Sequence, residues 1–498
     1  YVMVDAKGGF LDPLGFIRPA SAFQASMFLQ FIRDYPLNPN TKLAYFHVGK
    51  AYFAQKNYTK ALEWFNKTDP STLSNKQEME YLFKQGYSSF ELKDLEKAET
   101  LFEKVKNAES PFKESATYYF AYINYLNKEY KTALANFEKL KGSPTYEASY
   151  PYYITSMYYL DERFDDVISY AVPVLQSTQQ KFEAEMMSLI AASYFANNDF
   201  PNAVKYFASY YEKEQNAVAN NLFTYQYGYA LHQLGRNTQA VQILEKLGSD
   251  DVYLQNGMYT LGKIHVALKN KEKARSAFFR ASRLDFDKAI QEEALFNYAR
   301  LSYELEFNQI ALESIQNYIK TYPSSRKISE AKTLLGEILL TSKNYQAAID
   351  ILEPMQNKTQ SAREAYQKAT YYRGLEFYNE RAFPNALSHF LRSANFKEDQ
   401  EIYALGTYWT AESMYELRKF GESVATYEKF LALPTARSTD VYNFANYGLG
   451  YAAFEDEKYS KAVNYFEKFL SGSEKDTKTI NDATLRLADA YFVNKSYG

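Results

Sequence analysis

The side chains best suited to proton transfer or metal binding are few in this sequence, and they stand apart. Its four histidines, His47, His232, His265 and His389, pair with no acid or second imidazole nearby in the chain. Metal or general-base chemistry needs such groups to converge, so a place on a helix surface or interface is the better reading for each. There is no cysteine, which removes disulfides, thiolate metal sites and a thiol nucleophile together. The stretch Gly257-Met258-Tyr259-Thr260-Leu261-Gly262-Lys263-Ile264 matches a phosphate-binding loop at all but its last position. That loop needs a flexible turn after a strand and a hydroxyl for magnesium. Here the segment reads as mid-helix and Ile264 replaces the hydroxyl, so the match is coincidental. No Gly-x-Ser-x-Gly elbow, His-Glu-x-x-His helix or calcium loop occurs. These residues predict a protein that is not an enzyme and holds no cofactor or metal.

The totals narrow the class further. The 498 residues are 46% hydrophobic and 23% charged, the balance of a folded domain. The net charge of -3 comes without any basic run, which disfavours nucleic acid, whose binding depends on clustered Lys and Arg. No apolar stretch approaches the roughly 20 residues that span a bilayer. The aromatic content is less ordinary, with 48 Tyr and 36 Phe against 2 Trp. Tyrosine suits half-buried surface, because one end of the ring is apolar and the other wet.

A repeat explains that surface. A small residue recurs as an anchor at Gly49, Gly86, Ala121, Thr155, Ala191, Gly228, Gly262, Ala299, Gly336, Gly374, Ala411, Gly450 and Ala488, with a mean period between 36 and 37 residues. Twelve positions after each anchor comes a second small residue, from Ala61 and Ala98 through to Ala462, and a large apolar one follows four residues later, as at Phe65, Phe102 and Phe466. Spacings of three, four and seven are helical. Between the first two series lie turns such as Lys56-Asn57-Tyr58 and Lys343-Asn344-Tyr345. Each repeat therefore reads as helix, turn, helix. Small residues let the two helices approach closely, and the ring four residues on is expected to fill the gap to the next repeat. Thr155, Val167 and Ala171 make the fourth repeat irregular, and Ser423 the eleventh. Pro173 is expected to end or kink a second helix, whereas Pro201 and Pro384 suit first helical positions.

These residues resemble the tetratricopeptide repeat family, whose pattern of Gly or Ala, Tyr, Ala, Phe and Pro is matched by Gly49, Tyr52, Ala61, Phe65 and Pro70. The resemblance covers nearly the whole chain. It implies an all-α fold, a right-handed α-solenoid of about twelve to thirteen antiparallel helix pairs. Residues 1–19 read as an irregular N-terminal segment and 20–498 as one continuous solenoid, cut at both ends. The chain is accordingly expected to be a fragment of a longer protein.

In this family the first helices line the concave surface, and ligands meet positions three before, one after and four after the anchor. Here those positions carry Phe83, Tyr87 and Phe90; Tyr118, Tyr122 and Tyr125; Tyr152 and Tyr159; and Tyr225, Tyr229 and His232. Tyr371, Tyr378, Tyr408, Tyr415, Tyr447, Tyr451 and Phe454 continue the series. The family's carboxylate clamp of Lys and Asn has no counterpart at these places. The resemblance thus implies a non-catalytic scaffold binding extended peptide or protein segments along an aromatic groove; the alternative is a glycan-binding module, since Tyr rings also stack on sugar faces. Segments such as Leu43-Ala44-Tyr45-Phe46-His47-Val48-Gly49 look like those of large bacterial envelope proteins, notably of Bacteroidetes. That likeness implies a periplasmic or envelope-associated protein, with the cytoplasm as the alternative.

Overall fold

A computed structural model describes residues 21–177, 179–213, 220–472 and 476–495. The segment 1–19 lies outside the described residues. Among those described there are 26 α-helices and no strand. Two compact units are present, Tyr1–Lys246 and Leu247–Gly498.

In the first unit, α1 (Ser21–Asp34) precedes a series of helical hairpins. They are α2 (Thr41–Ala54) with α3 (Tyr58–Lys67), α4 (Asn75–Glu91) with α5 (Leu95–Lys106), α6 (Lys113–Leu126) with α7 (Tyr130–Phe137), α8 (Tyr150–Leu160) with α9 (Phe164–Ser177), α10 (Glu183–Ala196) with α11 (Phe200–Lys213), and α12 (Asn221–Gln233) with α13 (Asn237–Leu244). The second unit holds α14 (Val252–Ala267) with α15 (Lys271–Arg283), α16 (Lys288–Glu304) with α17 (Asn308–Thr321), α18 (Ile328–Thr341) with α19 (Tyr345–Leu352), α20 (Gln360–Asn379) with α21 (Phe383–Ser393), α22 (Gln400–Glu416) with α23 (Phe420–Leu431), α24 (Tyr442–Glu455) with α25 (Tyr459–Leu470), and finally α26 (Thr477–Val493). In the second unit each first helix touches the first helix of the next repeat, from α14 to α26, while second helices pack against the first helices on either side. The result is an α-solenoid of helix pairs in which first helices share one side of the stack.

The hairpin turns follow one recipe. In all thirteen first helices the residue seven past the anchor lies in the left-handed region, at φ between +55° and +73°. In the first twelve the next residue donates its backbone N–H to the carbonyl five positions back, as in Asn57 to Tyr52 and Asn344 to Leu339, the bond that defines a Schellman ending. Asn198 and Gly235 suit that conformation; Lys, Arg or Glu occupy the other eleven positions, each at a steric cost of about 1–2 kcal/mol. The cost is accepted at every turn because the ending satisfies helix carbonyls and reverses the chain at once.

The large apolar residue of the third series sits first on its own anchor. A Cβ at Gly49 would come 2.5 Å from the Phe65 ring, and one at Gly262 would come 2.6 Å from Phe278. This differs from the expected plug between repeats: the ring caps the anchor of its own hairpin and reaches the next repeat with its remaining face, as Phe65 does at Tyr81 (5.8 Å between centroids). The volumes compensate across the series. Where Ala171 replaces the ring, Thr155 replaces glycine, and both are fully buried. In the eleventh repeat the Ser423 hydroxyl donates to the Ala411 carbonyl at 2.8 Å, joining the two helices by a hydrogen bond. Helix α9 runs four residues beyond Pro173, to Ser177; the proline lies inside the helix and does not end it.

Buried glutamines tie some repeats together. The Gln255 amide donates to the carbonyls of Leu284 (2.7 Å) and Asp287 (3.1 Å) and accepts from the Asp287 N–H (2.7 Å). Gln367 does the same for Phe396 and Asp399. Both are fully buried, and both stand seven residues before their anchors.

Candidate functional site

The first helices of the N-terminal unit carry a connected run of rings. On α6, Tyr118, Tyr122 and Tyr125 follow at four and three residues, so they share one helix face. Their rings lie nearly parallel, at 6.5 and 6.4 Å and within 16°. Toward the N-terminus Tyr122 meets Phe90 of α4 at 5.9 Å, Phe90 meets Tyr87 at 6.4 Å, and Tyr87 meets Phe53 of α2 at 5.5 Å. Toward the C-terminus Tyr125 meets Tyr153 at 5.3 Å, Tyr153 meets Tyr152, and Tyr152 meets Phe182 at 4.9 Å. Most of these rings are half-buried, with one edge in the repeat interface and one reaching solvent.

Some of the groove residues expected from the sequence also hold the interfaces between repeats. Phe83 is 9% exposed and packs against Phe102 and Phe112, so it belongs to the core of its repeat. Tyr118 stacks on Tyr146 at 4.5 Å, and Tyr125 reaches Ser156 of the next repeat with its hydroxyl at 3.0 Å. Tyr159 packs on Phe164 at 5.8 Å, at the start of its partner helix. Tyr225 and Tyr229, 5.8 Å apart, form a second cluster, in which Tyr229 meets Phe195 and Phe200. The fifth repeat carries Ser188 and Ala192 at positions three before and one after its anchor, where the third repeat has Tyr118 and Tyr122. The aromatic face is therefore fullest over the second to fourth repeats and resumes at α12. His232 is bonded through Nδ1 to the Asn237 side chain at 2.8 Å, so it braces its own hairpin.

Burial raises the phenol pKa values of Tyr87, Tyr118 and Tyr152 on this face. Tyr87 and Tyr118 are pushed well above the usual tyrosine value, chiefly by desolvation, and Tyr152 is pushed up to about 12 by burial and then by Tyr125. The face thus offers neutral rings and hydroxyl donors at physiological pH. Sequence reasoning passed over Tyr119, Tyr146, Tyr153 and Phe182, which complete the network. Tyr119 and Tyr153 stand two residues before their anchors, and Tyr146 and Phe182 lie in the linkers before first helices, where no periodic signal marks them.

The other candidates for chemistry are dispersed. His47 stacks on Phe28 at 4.9 Å, and burial holds its pKa below the ordinary value. His265 is buried in α14, and His389 Nδ1 meets the Asn385 carbonyl at 2.9 Å. The segment 257–264 is continuous helix inside α14. Among the described residues no three His, Asp or Glu side chains come together as a metal site, and no helix is long and apolar enough to cross a membrane.

The chain matches the tetratricopeptide repeat over residues 25–75 and 188–251 and again over residues 80–108. No curated protein matches it. Among solved structures it is similar to one described as a functional characterization of Pseudomonas aeruginosa pilF, at 14% identity and a TM-score of 0.35, covering 45% of this chain and 97% of that one. It is also similar to a tetratricopeptide repeat protein from Parabacteroides merdae, at 16% identity and a TM-score of 0.23, covering 55% of this chain and 90% of that one.

Proposed function

We propose that this chain is a non-catalytic scaffold that holds extended protein segments along the aromatic face of its first helices. The observation that carries the reading is the continuous run of rings from Phe53 to Phe182, half-buried except at the buried Tyr153. Alternate side chains of an extended segment are about 6.5–7 Å apart. Neighbouring rings along the run lie 4.9–6.4 Å apart, close enough for the side chains of one such segment to touch several rings at once. Tyrosine is suited to this task, since it gives a large contact area with few torsions to freeze. Repetition adds many modest contacts on one frame.

The place of action belongs to the same proposal. The tyrosine-rich repeats, with their likeness to envelope proteins, support a periplasmic or envelope-associated scaffold. Cell fractionation decides this, and recovery in the cytosol would end that part of the reading. For the binding itself, the full chain and its Tyr122→Ala variant serve as paired baits for affinity capture. A protein retained by the first and lost by the second supports the scaffold. Capture of oligosaccharide in place of protein would favour the glycan-binding alternative.

A further inference from the structure

In the eleventh repeat an acid stands one residue past the anchor, at Glu412, amid tyrosines. Tyr87, Tyr122, Tyr229 and Tyr451 hold that position in the second, third, sixth and twelfth repeats, and Glu337 and Asp489 hold it in the ninth and thirteenth. The Glu412 side chain lies at a recess of about 330 Å³ between α22 and α24, lined also by Tyr408, Tyr415, Tyr427, Tyr447 and Tyr451. This is the low end of the volumes that small ligands occupy.

Glycine makes room beside the recess for the acid and its tyrosine partner. A Cβ at Gly448 would come 2.4 Å from the Tyr427 hydroxyl and 3.1 Å from Glu412 Oε1. The equivalent position, two before the anchor, is Thr260, Asn297, Leu334, Tyr372 and Trp409 in the preceding repeats of this unit. Any of those side chains would push the Tyr427 hydroxyl away from Glu412. The carboxylate is held in place: the fully buried Tyr427 donates to Oε1 at 2.5 Å, and Tyr378 of α20 approaches Oε2 at 3.4 Å. The walls are fixed too. Tyr415 and Tyr451 stand nearly at right angles, 6.3 Å apart, and Tyr447 and Tyr451 both donate to Asp482 of α26.

The charges around the recess are mainly acidic. Exposed Glu416 of α22 and Glu455 of α24 add to Glu412, and none of the three joins an ion pair among the described residues. The nearby base is Arg486 of α26, which bonds the Tyr451 hydroxyl and is itself paired with Asp489. A carboxylate removed from water without a counter-charge is costly, and tyrosine faces attract cations. Burial, ahead of any other cause, holds the Glu412 carboxyl above the usual carboxylate range. An incoming cation would reverse that.

We propose that this recess receives one basic side chain, lysine or arginine, of a protein segment, with Glu412 as its counter-charge and Tyr408, Tyr415 and Tyr451 as its walls. The site lies in the C-terminal unit and stands on its own geometry, so failure of the aromatic face of the N-terminal unit would leave it intact.

The test titrates the full chain with the N-acetyl methylamides of lysine, arginine and norleucine, followed by saturation-transfer NMR. The expected result is binding of lysine or arginine at least tenfold tighter than norleucine, weakening as the pH falls and Glu412 takes up a proton. Glu412→Gln keeps the bond from Tyr427 and should lose at least tenfold in affinity for the basic derivatives. Tyr415→Leu, which removes a wall and no charge, should also weaken them, with circular dichroism unchanged in both variants. Equal binding of norleucine, no binding of either basic derivative, or unaltered affinity in folded Glu412→Gln or Tyr415→Leu would overturn the proposal.

Discussion

Gly262 and Phe278 lie sixteen residues apart in sequence and in direct contact in space, with the ring 2.6 Å from where a Cβ on the glycine would sit. The same contact recurs for Gly49 with Phe65, Gly336 with Leu352, Gly374 with Phe390 and Gly450 with Phe466. Helix propensity alone favours alanine over glycine by about 1 kcal/mol, so the glycines are there for packing. Gly262→Val should cost about 2–4 kcal/mol of stability in denaturant unfolding, through overpacking. Gly262→Ala should cost clearly less, because Ala121 with Phe137 and Ala191 with Phe207 show how a hairpin adjusts to one methyl. Equal tolerance of valine would contradict the close approach.

The left-handed turn residues make a prediction of opposite sign. Lys343 sits at φ 58°, where glycine carries no Cβ penalty. Lys343→Gly should therefore stabilise the chain by about 0.5–1 kcal/mol in thermal or denaturant unfolding. A loss of stability would show that the lysine side chain makes a contact worth more than its strain.

Gln255 gives a third test. Gln255→Ala would leave the Asp287 N–H and the Leu284 carbonyl without their partner in a buried interface, at a cost of about 1–3 kcal/mol for each group left unsatisfied. Hydrogen exchange should then quicken at the start of α16, which Asp287 caps. Unchanged exchange there would mean that water replaces the amide without loss.

Tyrosine ionisation links the network to pH. Tyr152, Tyr371 and Tyr415 are pushed up to about 12, burial being the first cause in each. A folded-state pKa above the unfolded value of about 10 means that the folded chain retains these protons longer. Their stabilising contribution is fully present below pH 10 and is lost as the pH rises from 10 toward 12. Absorbance at 295 nm should show a delayed, steep ionisation that coincides with loss of helical circular dichroism. A single transition near pH 10 with helices intact would contradict the burial of these phenols.

Much of this architecture was legible in the sequence, because close helix packing leaves a strict mark. The anchors from Gly49 to Ala488 locate every hairpin, and the series Ala61 to Ala462 locates every second helix. The rings were legible as positions and less so as environments. Phe83 and Tyr122 occupy parallel helical faces, yet Phe83 is enclosed by Phe112 from the linker that follows its repeat, and linkers have no period to read. The gap at Ser188 and Ala192 was visible residue by residue. The recess at Glu412 was not, because it depends on Gly448 of the next repeat, and a single glycine at a variable position carries no signal until its neighbours are in place.

The measurement that bears most directly on the scaffold reading is peptide affinity at the aromatic face. Linear twelve-residue peptides selected by display against the full chain are measured by calorimetry with three proteins: the unaltered chain, Tyr122→Ala, and Glu103→Ala, which alters an exposed residue of the second helix α5. Tyr122 touches Phe90, Tyr118, Tyr125 and Tyr153, so its loss opens the middle of the run. The account predicts that Tyr122→Ala weakens binding by about 2 kcal/mol, with helical content preserved, and that Glu103→Ala changes nothing. Peptides that bind all three proteins alike would contradict it, as would a selection that yields no linear peptide at all.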